Sequence, residues 1–581
     1  MSILEKNGGD LLIESLYALN IDLKYIFGIT GSEILRIYDA LYRNGKDFGI
    51  RSIMVRHEQG GGHAADSFAR VSGGLGVCLG TVGPGVTHMV PAVATAYADS
   101  IPLLVLGAQV GKMFDGMGMI QSSIDQIALM KPITKMQLSV EYPEEIPKVV
   151  KKAAETALEG RKGPVFIEFR ETALVRTIKQ KDFSFPNNIK IELDKYRIKG
   201  NKEDIKAAIN LLKSSQKPMI IAGGGATASK ASEQIQILSE SYKIPVATTI
   251  NGIGLMSRKN TTFLGSYLTA SPYRKAIAEA DLVLSIGCKW DYTVFYGCAP
   301  LWNQKQNIIQ VDIDPKEIGK NRNVQVGILG DCKTVLGQLI SSMNKEIFPS
   351  HIVRWHEWNN YLQNYHGVDK KAINEILNSK EDLMKPQELV LRVYDFFPEN
   401  TIYTIDGGDI MVYSLTYANY RNRTPRSIIF PTAMGHLGVG IPYAIGARLA
   451  KPNNPVVCIT GDGSTLFNIQ ELETAVRLEL PIICVISNNN CWGMIKGNQK
   501  QFLEKRYIDV DLPPTNYAKI AESFGCYTEN VNNRQELLQA LENSFQSSIP
   551  SVIDVKTAFE PSPTIAMINM FKKSRGLYGS I

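Results

Sequence analysis

The chain has few of the residues that staple or anchor a protein. Its 581 residues include eight cysteines and seven histidines. The cysteines are scattered with no Cys-x-x-Cys spacing, which argues against a structural zinc site. Most of them, Cys78, Cys458 and Cys484 among them, lie in apolar runs and read as reduced core residues of a cytoplasmic protein. No apolar run approaches the roughly 20 residues that span a bilayer. The opening stretch, Met1 to Gly8, has no signal-like apolar region, so no membrane association is expected. Charge of one sign is scarce too. The net charge of +6 is small for this length and dispersed, and no basic cluster interleaved with aromatics suggests a nucleic-acid partner.

What the sequence does contain is a nearly continuous alternation of strand-like apolar runs and helix-like segments. That pattern predicts an α/β protein of three doubly wound parallel-sheet domains. The first unit, residues 1–181, has runs near Tyr25–Gly28, Ser52–Val55, Leu75–Thr81, Leu103–Gly107 and Val165–Glu168. Asp182 to Lys199 is polar and reads as a linker. The second unit, 200–345, opens on Pro218-Met219-Ile220-Ile221-Ala222-Gly223-Gly224-Gly225 and reads as Rossmann-like. The third unit covers 385–556. Residues 557–581, with a Pro561-Ser562-Pro563 break, read as a tail or lid. No simple repeat is visible, although the first and third units are compatible with a shared fold.

The most informative segment lies in the third unit. An apolar run from Pro455 to Thr460 ends in Gly461-Asp462-Gly463-Ser464, and a second, Pro481 to Ile486, ends near Asn488-Asn489-Asn490. Leu466 to Leu480 between them reads as a helix. Ligands of open parallel sheets bind at the carboxyl ends of the strands. Asp462 offers a carboxylate there and Asn489 an amide oxygen, hard ligands suited to Mg²⁺. The glycines let backbone N–H groups approach a phosphate.

This spacing resembles the diphosphate-binding motif of thiamine diphosphate (ThDP) enzymes. Arg56-His57-Glu58-Gln59-Gly60 and Gly435-His436-Leu437-Gly438 resemble two further segments of the acetolactate synthase superfamily, as do Gly80–Thr87, Ala96–Pro102 and Lys131–Lys135. The resemblance covers nearly the whole chain. It implies that Glu58 bonds the cofactor's pyrimidine ring and favours the tautomer that forms the reactive ylid. It implies that Leu437 wedges between the two cofactor rings, and that the Gly435 carbonyl accepts from the 4′-amino group. Gly461, Asp462, Gly463, Ser464 and Asn489 would hold the diphosphate. Asp462, Asn489 and the carbonyl of Cys491 would hold Mg²⁺. Glu58 would act across a subunit interface, in a homodimer or homotetramer.

The substrate-facing positions depart from the family pattern. Ser32, Gln121, Ser122 and Asn498 stand where branched-chain synthases carry apolar or aromatic groups or glycine, which implies a more polar pocket. In the second unit, Gly224, Asp312 and Asp331 match segments that hold FAD or ADP in this superfamily, so that site is expected to take FAD, take ADP or stay empty. The implied activity is decarboxylation of a 2-oxoacid such as pyruvate with carboligation. Two alternatives stand beside it: an acyl-CoA lyase or decarboxylase, toward which Asp125-Gln126 leans, and a catalytically silent regulatory or scaffold subunit.

Overall fold

The computed structural model describes residues 5–179, 183–266, 270–563 and 565. They form three six-stranded sheets and one two-stranded antiparallel ribbon, Glu5–Asn7 with Thr177–Lys179. Every pairing in the three large sheets is parallel. Helices cover both faces of such sheets, so their central strands are apolar throughout rather than alternating. Leu103–Gln109 and Ile482–Asn488 are buried along their whole length.

The first sheet runs Arg51–Met54, Tyr25–Gly28, Gly76–Gly80, Leu103–Gln109, Val165–Arg170, Met136–Val140. The third runs Ile428–Ile429, Ile402–Ile405, Val456–Gly461, Ile482–Asn488, Ser551–Lys556, Tyr527–Val531. In each, the spatial order is second, first, third, fourth, sixth and fifth strand of its unit, so the two share one topology. The middle sheet runs Phe263–Gly265, Val246–Thr248, Pro218–Ala222, Leu282–Ile286, Asn307–Asp312, Val326–Leu329, the dinucleotide-fold order with its reversal between the strands ending at Ala222 and Ile286.

Two local expectations are corrected. Of the helix read over Leu466–Leu480 only Glu471–Arg477 forms, and a separate four-residue helix, Asp462–Thr465, precedes the stretch. The break arises because buried Asn468 donates its side chain to the Gly438 carbonyl at 2.8 Å, which holds 466–470 as a turn. The polar stretch after Lys181 is not a free linker: Ile189 and Ile191 are buried in the first unit's core, and Ile191 N–H donates to the Leu19 carbonyl at 3.0 Å. The tail begins docked, with Ala558 N–H on the Met384 carbonyl and Tyr413 Oη donating to the Pro561 carbonyl at 2.8 Å. Residues 564 and 566–581 lie outside the described set, so the lid reading does too. No helix among the described residues is long and apolar enough to cross a membrane.

The first and third units are stitched together by helices Glu58–Ser72 and Gly440–Ala450. A Cβ on Gly446 would lie 2.1 Å from the Ala64 carbonyl, so only glycine permits this approach. Ser67 Oγ donates to the Tyr443 carbonyl at 2.7 Å, and Tyr443 Oη to Asp66 at 2.9 Å. Arg70 pairs with Asp66 at 2.6 Å and Asp99 at 2.9 Å, and its guanidinium lies 5.5 Å from the Tyr443 ring centre. A single buried apolar cluster extends from Phe27 and Phe68 to Tyr443 and Val552.

Candidate active site

In the third sheet the strand order reverses between Ile402–Ile405 and Val456–Gly461, which makes the crevice beyond their carboxyl ends the place for a ligand. Asp406 follows one of these strands and Asp462 the other. Register pairs Gly461 with Ser487 on the next strand, so Asn489 emerges beside Asp462. The Asn489 N–H donates to Asp462 Oδ2 at 3.2 Å, and the Gly463 N–H to Oδ1 at 2.9 Å. Burial pushes the Asp462 carboxyl up to about 6, against the backbone N–H groups of Gly463, Asn490, Cys491 and Asn489. Asn489 Oδ1 accepts from the Cys491 N–H at 3.2 Å, which turns the Asn489–Cys491 backbone over the strand end. The Cys491 thiol is pushed up to about 12 by burial and stays protonated. Ser464 is buried beside Asp406. A Cβ on Gly463 would come within 2.6 Å of the Trp492 ring, so this corner admits only glycine.

Asp406 is a residue that sequence reasoning passed over. Fully inside the crevice, it accepts N–H groups from Gly407 at 2.6 Å, Gly438 at 3.2 Å and Gly440 at 3.1 Å. It thereby pins the loop that carries Gly435 and Leu437. Gly435 and Gly438 both have left-handed backbones, φ 60° and 82°, which lets the loop double back at the strand end. Leu437 is half-buried and Gly435 exposed. Asp409 was also missed. Its carboxyl is pushed up to about 7 by burial, and the Ser562 N–H pulls against that shift. A Cβ on Gly493 would sit 2.9 Å from Asp409 Oδ2 and 3.4 Å from Asn489 Nδ2, so both side chains face the same helix start.

Glu58 opens helix Glu58–Ser72 and is 7% exposed. The corner before it is held by Glu471 of the third unit, whose Oε1 accepts from the Arg56 N–H at 3.1 Å and the His57 N–H at 3.0 Å. His57 caps the helix through Nδ1, accepting the Gln59 N–H at 3.1 Å. Glu58 Oε2 lies 2.9 Å from His88 Nδ1. No hydrogen bond or ion pair among the described residues joins Glu58 to Asp462, Asn489 or Leu437 within the chain.

The four polar pocket positions are not enclosed together in a single chain. Ser32 and Gln121 are exposed, and Gln121 has φ 66°. Ser122 Oγ donates to the Met119 carbonyl at 2.9 Å. Asn498 is half-buried on helix Gly493–Phe502. Gln126 is structural: it accepts the Gly83 N–H at 2.8 Å and donates to the Ala108 carbonyl at 2.9 Å.

Gly224, Asp312 and Asp331 do converge. They line a cavity of about 440 Å³ at the reversal point of the middle sheet, walled on its other sides by the first and third units. Asp331 is largely committed to the protein, capping helix Cys332–Glu346 and pairing with Arg197 at 2.9 Å. Asp312 is pushed up to about 6 by burial. Sequence reading missed the cations that converge there, Arg161 and Lys162 from the first unit, Lys230 and Lys289 from the middle unit and Arg426 from the third. Burial, with Arg426, Lys230 and Arg197 nearby, lowers Lys162 to about 8.

A buried carboxyl held above its ordinary range, an amide oxygen beside it and a glycine-only corner make a donor set that suits a small hard cation bearing a diphosphate. The residues at Asp462–Asn489 therefore fit such a group. Comparison with known proteins places all three units in one family. Residues 6–129, 205–339 and 406–555 match family models described as the N-terminal TPP binding, central and C-terminal TPP binding domains of thiamine pyrophosphate enzymes. A probable acetolactate synthase large subunit of Methanococcus aeolicus is 33% identical over 97% of this chain and 93% of its own length. One of Methanocaldococcus jannaschii is 34% identical, with the same coverage. The acetolactate synthase large subunit of Pyropia yezoensis is 32% identical over 98% of this chain and 97% of its own length.

Proposed function

The chain belongs to the acetolactate synthase large-subunit family of ThDP enzymes, and on that premise we propose that it decarboxylates a 2-oxoacid, pyruvate first, and joins the remaining fragment to a second carbonyl compound. The supporting observation is the Asp462–Asn489 pair at the ends of adjacent parallel strands, in a chain similar to synthase subunits along nearly its whole length. When bound, ThDP supplies the electron sink for breaking and making a bond beside a carbonyl. This chain's own residues bind and orient it. Asp462, Asn489 and the Cys491 carbonyl would hold Mg²⁺, and Gly461, Gly463 and Ser464 would receive the diphosphate. Leu437, on the loop pinned by Asp406, would pack against the bound cofactor and orient it. Glu58 would hold or release a proton toward the bound pyrimidine ring, and the Gly435 carbonyl would serve as an acceptor for its amino group.

Among the described residues no hydrogen bond or ion pair joins Glu58 to Asp462 within one chain, and the active site is proposed to form between two copies, in a homodimer or homotetramer. The cavity at Gly224 and Asp312 is proposed to take the diphosphate of FAD or ADP, whose charge matches the converging Lys162, Lys230 and Arg426. Ser32, Gln121, Ser122 and Asn498 are proposed to make the acceptor pocket polar, so that pyruvate is preferred over 2-oxobutyrate. The relatives described above carry synthase names and lend no support to acyl-CoA chemistry or to a silent scaffold.

The test is incubation with ThDP, Mg²⁺ and a panel of 2-oxoacids, with products read by mass spectrometry. Formation of 2-acetolactate from pyruvate is expected. Cofactor binding without decarboxylation of any 2-oxoacid would defeat the reading.

A further inference from the structure

His88 is a histidine that the sequence reading gave no role. It lies on helix Pro84–Asp99, its side chain 45% exposed, with Nδ1 2.9 Å from Glu58 Oε2. Against an ionised Glu58, Nδ1 must carry the proton and donate. The contact is set by the packing of two helices. One turn beyond Glu58 stands Gly62, and one turn beyond His88 stands Ala92. A Cβ on Gly62 would lie 2.6 Å from the Ala92 Cβ, so the missing side chain allows the helices to close until the imidazole meets the carboxylate. The His88 ring is steadied from the other side by His57, their centres 4.4 Å apart. His57 is itself fixed, because its Nδ1 accepts the Gln59 N–H. No other hydrogen bond to the Glu58 side chain is made among the described residues.

We propose that His88 is a positioning residue for Glu58: it occupies Oε2 and leaves Oε1 turned toward the pyrimidine nitrogen of the cofactor. The inference rests on the ThDP reading above. A carboxylate at the start of a helix otherwise turns freely about its last bond and presents either oxygen. One charge-assisted hydrogen bond selects a single orientation. Partners that orient a functional group in this way typically account for about 10- to 100-fold in activity when removed.

The experiment compares wild type, His88→Leu and His88→Asn, each reconstituted with ThDP and Mg²⁺. Two quantities are measured: cofactor affinity by fluorescence titration, and exchange of the cofactor's C2 proton into deuterium oxide by quenched-flow NMR. His88→Leu is expected to bind the cofactor about as wild type does, yet exchange roughly 10- to 100-fold more slowly. His88→Asn, whose amide nitrogen donates from nearly the place of Nδ1, is expected to restore most of the rate. A His88→Leu variant that exchanges as fast as wild type overturns the proposal, as does a His88→Asn variant as slow as His88→Leu. A wild type that neither binds ThDP nor accelerates exchange overturns the cofactor reading, and the proposal with it. Wild-type exchange that is fast while the variants do not differ defeats the proposal alone.

Discussion

Replacing Asp462 by Asn should change how stability depends on pH, and by a calculable amount. The carboxyl is buried and pushed from 3.8 up to about 6. Between those values the folded apoprotein keeps a proton that the unfolded chain has released. Apoprotein stability therefore falls as pH rises through this window and levels off above about pH 6. The gap corresponds to about 3 kcal/mol. Mg²⁺ with ThDP acts in the opposite sense, because the metal takes the ionised carboxylate, so stabilisation by the ligand pair should grow over the same window. Asp462→Asn has no proton to release there. Asp312, pushed up to about 6, and Asp409, to about 7, add similar slopes of their own, but the substitution leaves those in place. The wild-type-minus-variant difference isolates Asp462. Denaturant midpoints at intervals from about pH 4 to 8, with and without Mg²⁺ and ThDP, supply it. A difference that stays flat across the window, with both proteins gaining equally from Mg²⁺, would refute the assignment.

Three further outcomes follow from the geometry. Glu58→Gln should leave the fold intact and lower turnover by on the order of 100- to 10,000-fold, read from steady-state rates beside an unchanged circular dichroism spectrum. Leu437→Ala should reduce kcat more than ThDP affinity, since the loop stays pinned by Asp406; lost affinity at unchanged kcat would contradict the wedge role. Arg70→Met removes the guanidinium that ion-pairs buried Asp66 and Asp99 between the first and third units and should cost about 3–5 kcal/mol, seen as a lowered thermal midpoint.

The sequence revealed most where physics is local. Central strands are buried on both faces, so Tyr25–Gly28, Leu103–Gln109 and Ile482–Asn488 announce themselves as apolar runs. The edge strand Met136–Val140 is mostly half-buried, lacks such a run, and went unread. Leu466–Leu480 has the apolar spacing of a helix, but the Asn468 side chain bonds to a loop 30 residues upstream, and no local pattern reports that. The glycine–aspartate and asparagine segments were legible as neighbours because each closes an apolar run, and the two strands pair side by side. Asp406, Glu471 and His88 were not, since each gains its role from a partner brought by tertiary packing. The cations around the nucleotide-sized cavity were invisible for the same reason: Arg161, Lys230 and Arg426 come from three different units.

The seam between helices Glu58–Ser72 and Gly440–Ala450 also bears on the birth of the protein. Ser67 and the Tyr443 carbonyl it bonds are 376 residues apart in the chain. A ribosome adding about 5–20 residues per second delivers the second helix roughly 20–75 s after the first. For that interval the face of the first unit bearing Ala64, Ser67 and Phe68 has no counterpart, and the Asp66 and Arg70 side chains have no tyrosine to meet. The nascent chain thus carries an exposed sticky face for most of its synthesis, a natural substrate for chaperones that shield such faces until the last third of the polypeptide emerges.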